Sequence, residues 1–178
     1  LYVDGNLEST GTYTFTVPQA ASTISSTASS LKGEIDEFRV WSDARTDQEI
    51  ATNYQNQLVG NEDNLTAYYR FDDSVDDGIV SNSATATGTA LNGTLAGNAT
   101  AITVPVNAAD FSGGSNYIQV SNLDNSNSVI TGTGSFTYET WMKTTETGLN
   151  TIMGTGGTGG GGATLRINGG IVQFNNTD

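Results

Sequence analysis

Cysteine and histidine are both absent from the 178 residues. Without thiols there is no disulfide framework, zinc ribbon, iron–sulfur cluster or cysteine nucleophile. Without imidazole there is no Ser-His-Asp or Cys-His catalysis, no histidine metal site and no histidine switch near neutral pH. Positive charge is scarce too: six Lys and Arg against nineteen Asp and Glu give a formal charge of −13. That balance repels phosphate backbones and anionic lipid, so nucleic acid is not an expected partner, and cations, Ca²⁺ first among them, are the natural counter-ions. No run approaches the 18 apolar residues of a membrane span, so no membrane insertion is expected in this segment. No basic, apolar and small-residue signal opens the chain, which places any export signal outside it.

What is present has β character. Glycine is abundant, at 22 residues, but 35% of the chain is apolar and its aromatics are regularly spaced, so a packed core is expected rather than disorder. Leu1-Tyr2-Val3 runs into Asp4-Gly5-Asn6 and Leu7, a tight-turn hairpin signal. Tyr13, Phe15 and Val17 alternate with Thr12, Thr14 and Thr16 and predict a half-buried strand ended by Pro18, followed by a polar loop over 19–31. Leu31 to Trp41 is a strong strand; strict alternation puts Asp36, Phe38 and Val40 on one face and Ile35, Glu37, Arg39 and Trp41 on the other. The period then changes. Thr46-Asp47-Gln48-Glu49 is a capping box, and Ile50, Tyr54 and Leu58 at i, i+4, i+8 predict one short helix over about 46–57.

Residues 61–64 read as a linker. Beyond it come a strand from Leu65 to Phe71, the acidic run Asp72-Asp73-Ser74-Val75-Asp76-Asp77, and a small, polar stretch over 81–101. Strand signals follow at Phe111, at Tyr117 to Val120, at Phe136 to Lys143 and at Ile152-Met153. The glycine run over 154–162 reads as a flexible loop and not a phosphate cradle, since it has no Lys and no following helix. Leu165-Arg166-Ile167, Asn168-Gly169-Gly170 and Ile171 to Phe174 form a second hairpin signal.

These segments resemble a family. Leu1-Tyr2-Val3-Asp4-Gly5, Gly33-Glu34-Ile35-Asp36-Glu37-Phe38-Arg39-Val40-Trp41 and Gln48-Glu49-Ile50 look like the closing motifs of laminin-G-like, pentraxin-related modules. Ala67-Tyr68-Tyr69-Arg70-Phe71-Asp72, Asn92-Gly93-Thr94-Leu95, Phe111 to Val120 and Phe136 to Trp141 look like their opening motifs. The resemblance implies an all-β fold, an antiparallel jelly-roll β-sandwich of the concanavalin A-like kind with the one helix near 46–57. Closing motifs precede opening ones, so residues 1–60 read as the C-terminal part of one module and 65–178 as the N-terminal part of the next, in a tandem array. The other possibility is that the two complete each other as one circularly permuted sandwich, which pairing of Leu1–Asp4 with 165–174 would indicate.

The chemistry of these residues is limited to oxygen ligands. Glu34-Ile35-Asp36-Glu37-Phe38 is similar to the catalytic strand of family-16 β-glucanases, where alternate carboxylates share a face; here Phe38 stands where the acid/base would, so no enzymatic activity is expected. Asp36 and Glu37 on the last strand of one module, with Asp72 and Asp73 after the first strand of the next, are the candidate Ca²⁺ ligands; the alternative is a solvated acidic loop. Asp73-Ser74-Val75 resembles a short O-glycosylation sequon, with Ser74 its acceptor, and Asn64, Asn92, Asn98 and Asn175 match N-x-Thr. Phe38, Trp41, Tyr69, Phe71, Phe136, Tyr138 and Trp141 are expected in the core. The functional expectation is a non-enzymatic repeat module of a large secreted or cell-surface bacterial adhesin or extracellular filament. Its partners would be neighbouring copies or modules, with Ca²⁺ stiffening the junctions. The alternative is a carbohydrate-binding lectin module whose partners are surface glycans.

Overall fold

A computed structural model describes residues 1–12, 22–26, 28–72, 78–85, 91–96, 108–112, 114–120, 135–154 and 162–177. Its strands are β1 (Tyr2–Val3), β2 (Asn6–Leu7), β3 (Ser22–Ser25), β4 (Lys32–Trp41), β5 (Leu65–Tyr69), β6 (Ile79–Val80), β7 (Gly93–Ala96), β8 (Ala109–Ser112), β9 (Tyr117–Val120), β10 (Thr137–Thr144), β11 (Asn150–Gly154), β12 (Gly162–Asn168) and β13 (Ile171–Thr177), with one helix, α1 (Asp47–Asn53).

Two antiparallel sheets face each other. One runs β13-β12-β11-β3-β9-β7-β6. In the other, β4 pairs along one edge with β10, and along the opposite edge with β8 at residues 32–35 and β5 at residues 38–41. Between them lies one apolar cluster: Ile24, Ile118, Val120, Ile152, Met153 and Ile167 from the first sheet meet Ile35, Phe38, Val40, Tyr69 and Phe111 from the second. This is the expected sandwich. At about 25 cal/mol per Å² of apolar surface removed from water, it is where most of the stabilisation originates.

The strands nearest the middle of both sheets come early in the chain. Ile24 of β3 is held between Ile118 of β9 and Met153 of β11, and every neighbour of β4 belongs to residues 65–178. Leu1–Asp4 pairs locally instead of with 165–174: Tyr2 faces Leu7 and Val3 faces Asn6. The intervening turn has φ of 50° at Asp4 and 76° at Gly5, the positive values that a two-residue hairpin turn requires. A side chain at Gly5 would strike the Tyr54 ring, with a Cβ 2.9 Å from it, so this hairpin rests on the end of α1. Residues 61–64 make a turn in which the Glu62 carboxylate accepts from the amides of Val59 and Gly60 at 2.8 and 2.9 Å.

α1 is capped as expected. Thr46 Oγ1 accepts from the Glu49 amide, and the Glu49 carboxylate accepts from the Thr46 amide at 2.8 Å. The helix stops at Asn53, short of residue 57. Asn56 turns back, its amide to the Asn53 carbonyl and its side-chain amide to Thr52 O at 2.7 Å, and the stripe ends with Leu58 buried beyond the helix. Residues 81–101, read as a polar stretch, contain β7, which pairs with β9 across Leu95 and Ile118. Its short, glycine-bearing sequence carries no alternation of its own to mark it. The strand expected over Tyr13–Val17 and the glycine run at 155–161 lie outside the described residues.

Candidate functional site

The outward face of β4 differs from the strict alternation expected. Glu139 pairs with Arg39 and Trp141 with Asp36, so Thr140 alone stands opposite Glu37 and Phe38: a β-bulge, with φ of 52° at Glu37. The extra residue shifts the phase. Ile35 joins Phe38 and Val40 in the core, while Asp36 and Glu37 both turn away from it. A second irregularity at Thr66 of β5 turns Leu65 and Tyr68 to the outer side, beside Trp41.

Half of that outer face is sealed. α1 and the chain after it roof Glu37 and Arg39, which are 2% and 1% exposed. Arg39 Nη2 donates to Glu37 Oε2 at 2.8 Å, and Tyr68 Oη donates to the same oxygen at 2.5 Å. Arg39 also donates to the Asn53 carbonyl at 3.1 Å and to that of Asn56, and lies 3.5 Å from Glu139, which accepts from Trp41 Nε1 at 3.0 Å. Burial, then the hydrogen bond to Glu37, pushes the Tyr68 hydroxyl up to about 12. A buried charge is tolerated only with such a partner set.

The other half is open. Trp141, expected in the core, is 45% exposed, because it lies opposite Asp36 rather than Ile35. Its Nε1–H donates to the Tyr54 carbonyl, which fixes the ring in place. Beside it is a shallow pocket of about 190 Å³ lined by Glu34, Asp36, Ala108, Trp141, Met142 and Lys143. The Asp36 carboxylate accepts from the Glu37 amide at 2.8 Å. Partial burial, with repulsion from Glu37 and Asp72, lifts Asp36 to about 6, against the downward pull of that amide and of Arg39. Glu34 is 3.6 Å from Lys143, both of them solvated.

The candidate metal ligands are therefore only partly brought together. Asp36 and Asp72 are close enough to feel each other's charge, whereas Glu37 gives one oxygen to Arg39 and Tyr68, and its Oε1 is buried without a hydrogen-bond partner among the described residues. Asp73 and Ser74 lie outside the described residues. Among the described residues no group of three or more Asp and Glu side chains could hold a metal ion. Of the aromatics expected inside, Phe38, Trp41 and Tyr69 are fully buried, and Phe71, Phe136 and Tyr138 pack partly against the core. The open Trp141 was legible in β10 itself, whose unbroken alternation sets it with Glu139 and Lys143 against the core-facing Phe136, Tyr138 and Met142, whereas the turning out of Glu37 depends on the bulge and leaves no mark in an alternating pattern. The available hint was Glu37-Phe38 itself, a charge and an aromatic where only one of the two can face the core.

Residues 1–51 match the family model Laminin_G_3, the Concanavalin A-like lectin/glucanases superfamily. No curated protein and no solved structure matches the chain. The matched segment carries the β1–β2 hairpin, β3, the whole of β4 and the first turns of α1. It supplies Glu34, Asp36, Glu37 and Arg39, while Trp141 comes from beyond it. The antiparallel β-sandwich with one short helix agrees with that match, and the laminin-G-like resemblance seen in the sequence holds for this segment.

Proposed function

We propose that this laminin-G-like sandwich is a non-enzymatic adhesive module of a secreted or cell-surface protein, and that it adheres by binding carbohydrate. The observation carrying this reading is Trp141: a large ring, fixed by its own hydrogen bond and left open beside a pocket with carboxylates on its rim. An indole face suits the C–H side of a pyranose ring, and carboxylates accept from sugar hydroxyls. The superfamily includes lectins as well as glucanases. The non-catalytic half of the reading is supported by what becomes of the acidic strand. Phe38 is in the core, and Glu37 is sealed beneath α1 against Arg39, where no substrate reaches it. Retaining hydrolysis needs two carboxyls about 5–5.5 Å apart and both open to the glycosidic bond. An extracellular setting accords with the family match and with the acidic, cysteine-free composition. Among the described residues no helix is long and apolar enough to cross a membrane.

The test is glycan-array binding of the intact chain and of Trp141→Ala, followed by titration of any hit. Binding to a defined group of glycans that Trp141→Ala loses supports the reading. No hit from the folded chain, or hits that Trp141→Ala retains, overturns it.

A further inference from the structure

The charge around the Trp141 pocket narrows the kind of sugar. Resting on the carbohydrate reading above, we propose that this pocket takes a protonated amino sugar, a 2-amino-2-deoxyhexose unit of a glycan, in preference to a neutral or an acidic sugar. The ring face is indifferent to the choice, because every hexose offers C–H groups to an indole. The rim is not indifferent. Glu34 and Asp36 stand on β4, and Asp110 of β8 lies directly opposite Glu34, hence on the same face. Against the two carboxylates that line it, Glu34 and Asp36, the pocket has one cation, Lys143, which already leans on Glu34 at 3.6 Å.

A uronic acid or sulfated sugar would bring a negative charge into that field, on a chain whose formal charge is −13. A neutral sugar could donate hydroxyl hydrogens to the rim but would bring no charge to set against its two carboxylates. An ammonium on the sugar ring does what neither can. It donates to the Asp36 and Glu34 carboxylates, offsets their charge, and sits within reach of an exposed indole face, where cations are attracted by the ring quadrupole. The ring and the acidic rim are thus read by two parts of one ligand, its C–H face and its amine.

The experiment titrates the intact chain with a glucosamine hexamer and with the fully N-acetylated hexamer, at near-neutral pH, where Asp36 is ionised and a share of the sugar amines is still protonated, and at low and physiological salt. Far-UV circular dichroism monitors the fold of each variant. The free-amine hexamer should bind about tenfold or more tightly than the acetylated one. Asp36→Asn and Glu34→Gln should each remove most of that preference, weakening the free-amine hexamer far more than the acetylated one, and Trp141→Ala should abolish both. Equal binding, or a preference for the acetylated form, with Trp141 still required would overturn the amino-sugar proposal and leave the carbohydrate reading standing. Failure of the wild-type chain to bind either hexamer, or any glycan on the array, would sink both. Free-amine binding unaffected by Trp141→Ala, Asp36→Asn and Glu34→Gln alike would show only non-specific attraction to an acidic surface, and would overturn the proposal as well.

Discussion

One strand face is put to two uses. Under α1, Glu37, Arg39 and Trp41 are cut off from water, and each charge has a partner, guanidinium to carboxylate, hydroxyl to carboxylate and N–H groups to the carbonyls of Asn53 and Asn56, with Glu37 Oε1 and Arg39 Nε left over without a hydrogen bond among the described residues. A few residues earlier on the same strand, Glu34 and Asp36 carry the same chemistry with no roof, and they face an open ring and one solvated lysine. The difference comes from where the helix stops. A roofed carboxylate must be satisfied by the protein and is lost to ligands, whereas an unroofed one stays under-satisfied and available.

Breaking the sealed half should cost most. Arg39→Met strands the Glu37 charge and should lower stability by about 3–5 kcal/mol in urea unfolding. Glu37→Leu added to Arg39→Met should recover a good part of that loss, because the cost lies in the uncompensated charge. Recovery of nothing would mean that Arg39 acts through packing alone. Next comes the junction with β10. A Cβ on Gly33 would lie 2.3 Å from the Lys143 carbonyl, so Gly33→Ala must push β10 off β4. Such overpacking typically costs about 1–3 kcal/mol, and glycan binding should weaken along with it because Trp141 rides on β10.

On the open half the sign reverses. Asp36 titrates near 6 in the folded chain against an ordinary value of 3.8, so the native state holds a proton more tightly than the unfolded state does. Its contribution therefore favours folding at low pH, is lost as pH rises through the window between those two values, and is flat above it. Asp36→Asn keeps an acceptor for the Glu37 amide and should remove that slope. It should raise stability at neutral pH by on the order of 1 kcal/mol, discounted for the carboxylate's remaining solvation, and change little near pH 4. Denaturation curves across that range would check both. The smallest effect should be that of Glu34→Gln, which removes only the solvated pair with Lys143. It should shift stability by under about 0.5 kcal/mol, while its effect on amino-sugar binding is large.

Much of the fold was legible because local signals pointed the same way: the Asp4-Gly5 turn, the Thr46 to Glu49 box, and the Asn168-Gly169-Gly170 hairpin with φ of 63° and 77° at its glycines. The site was legible only in its residues. The Glu34 to Glu37 run stood out as acidic, yet which of its carboxylates faces water depends on a bulge specified by pairing with β10, about a hundred residues further along. Trp141 is a different case: alternation along β10 sets it with Glu139 and Lys143 and away from Phe136, Tyr138 and Met142, and only its apolar character pointed inward. Alternation within one strand cannot report an extra residue that only the partner strand reveals.

The placement of β3 and β4 also governs how the chain must acquire its structure. Both lie amid strands that are synthesised later, with Trp41 meeting Thr137 and Lys32 meeting Ser112. Neither sheet can close around them until most of the polypeptide has emerged, and each closure joins segments far apart along the backbone. Such a topology folds slowly, in milliseconds to seconds rather than microseconds. Until then the early apolar strands wait exposed, and the charged and polar residues interspersed along β4 help to keep that waiting segment from pairing with another chain.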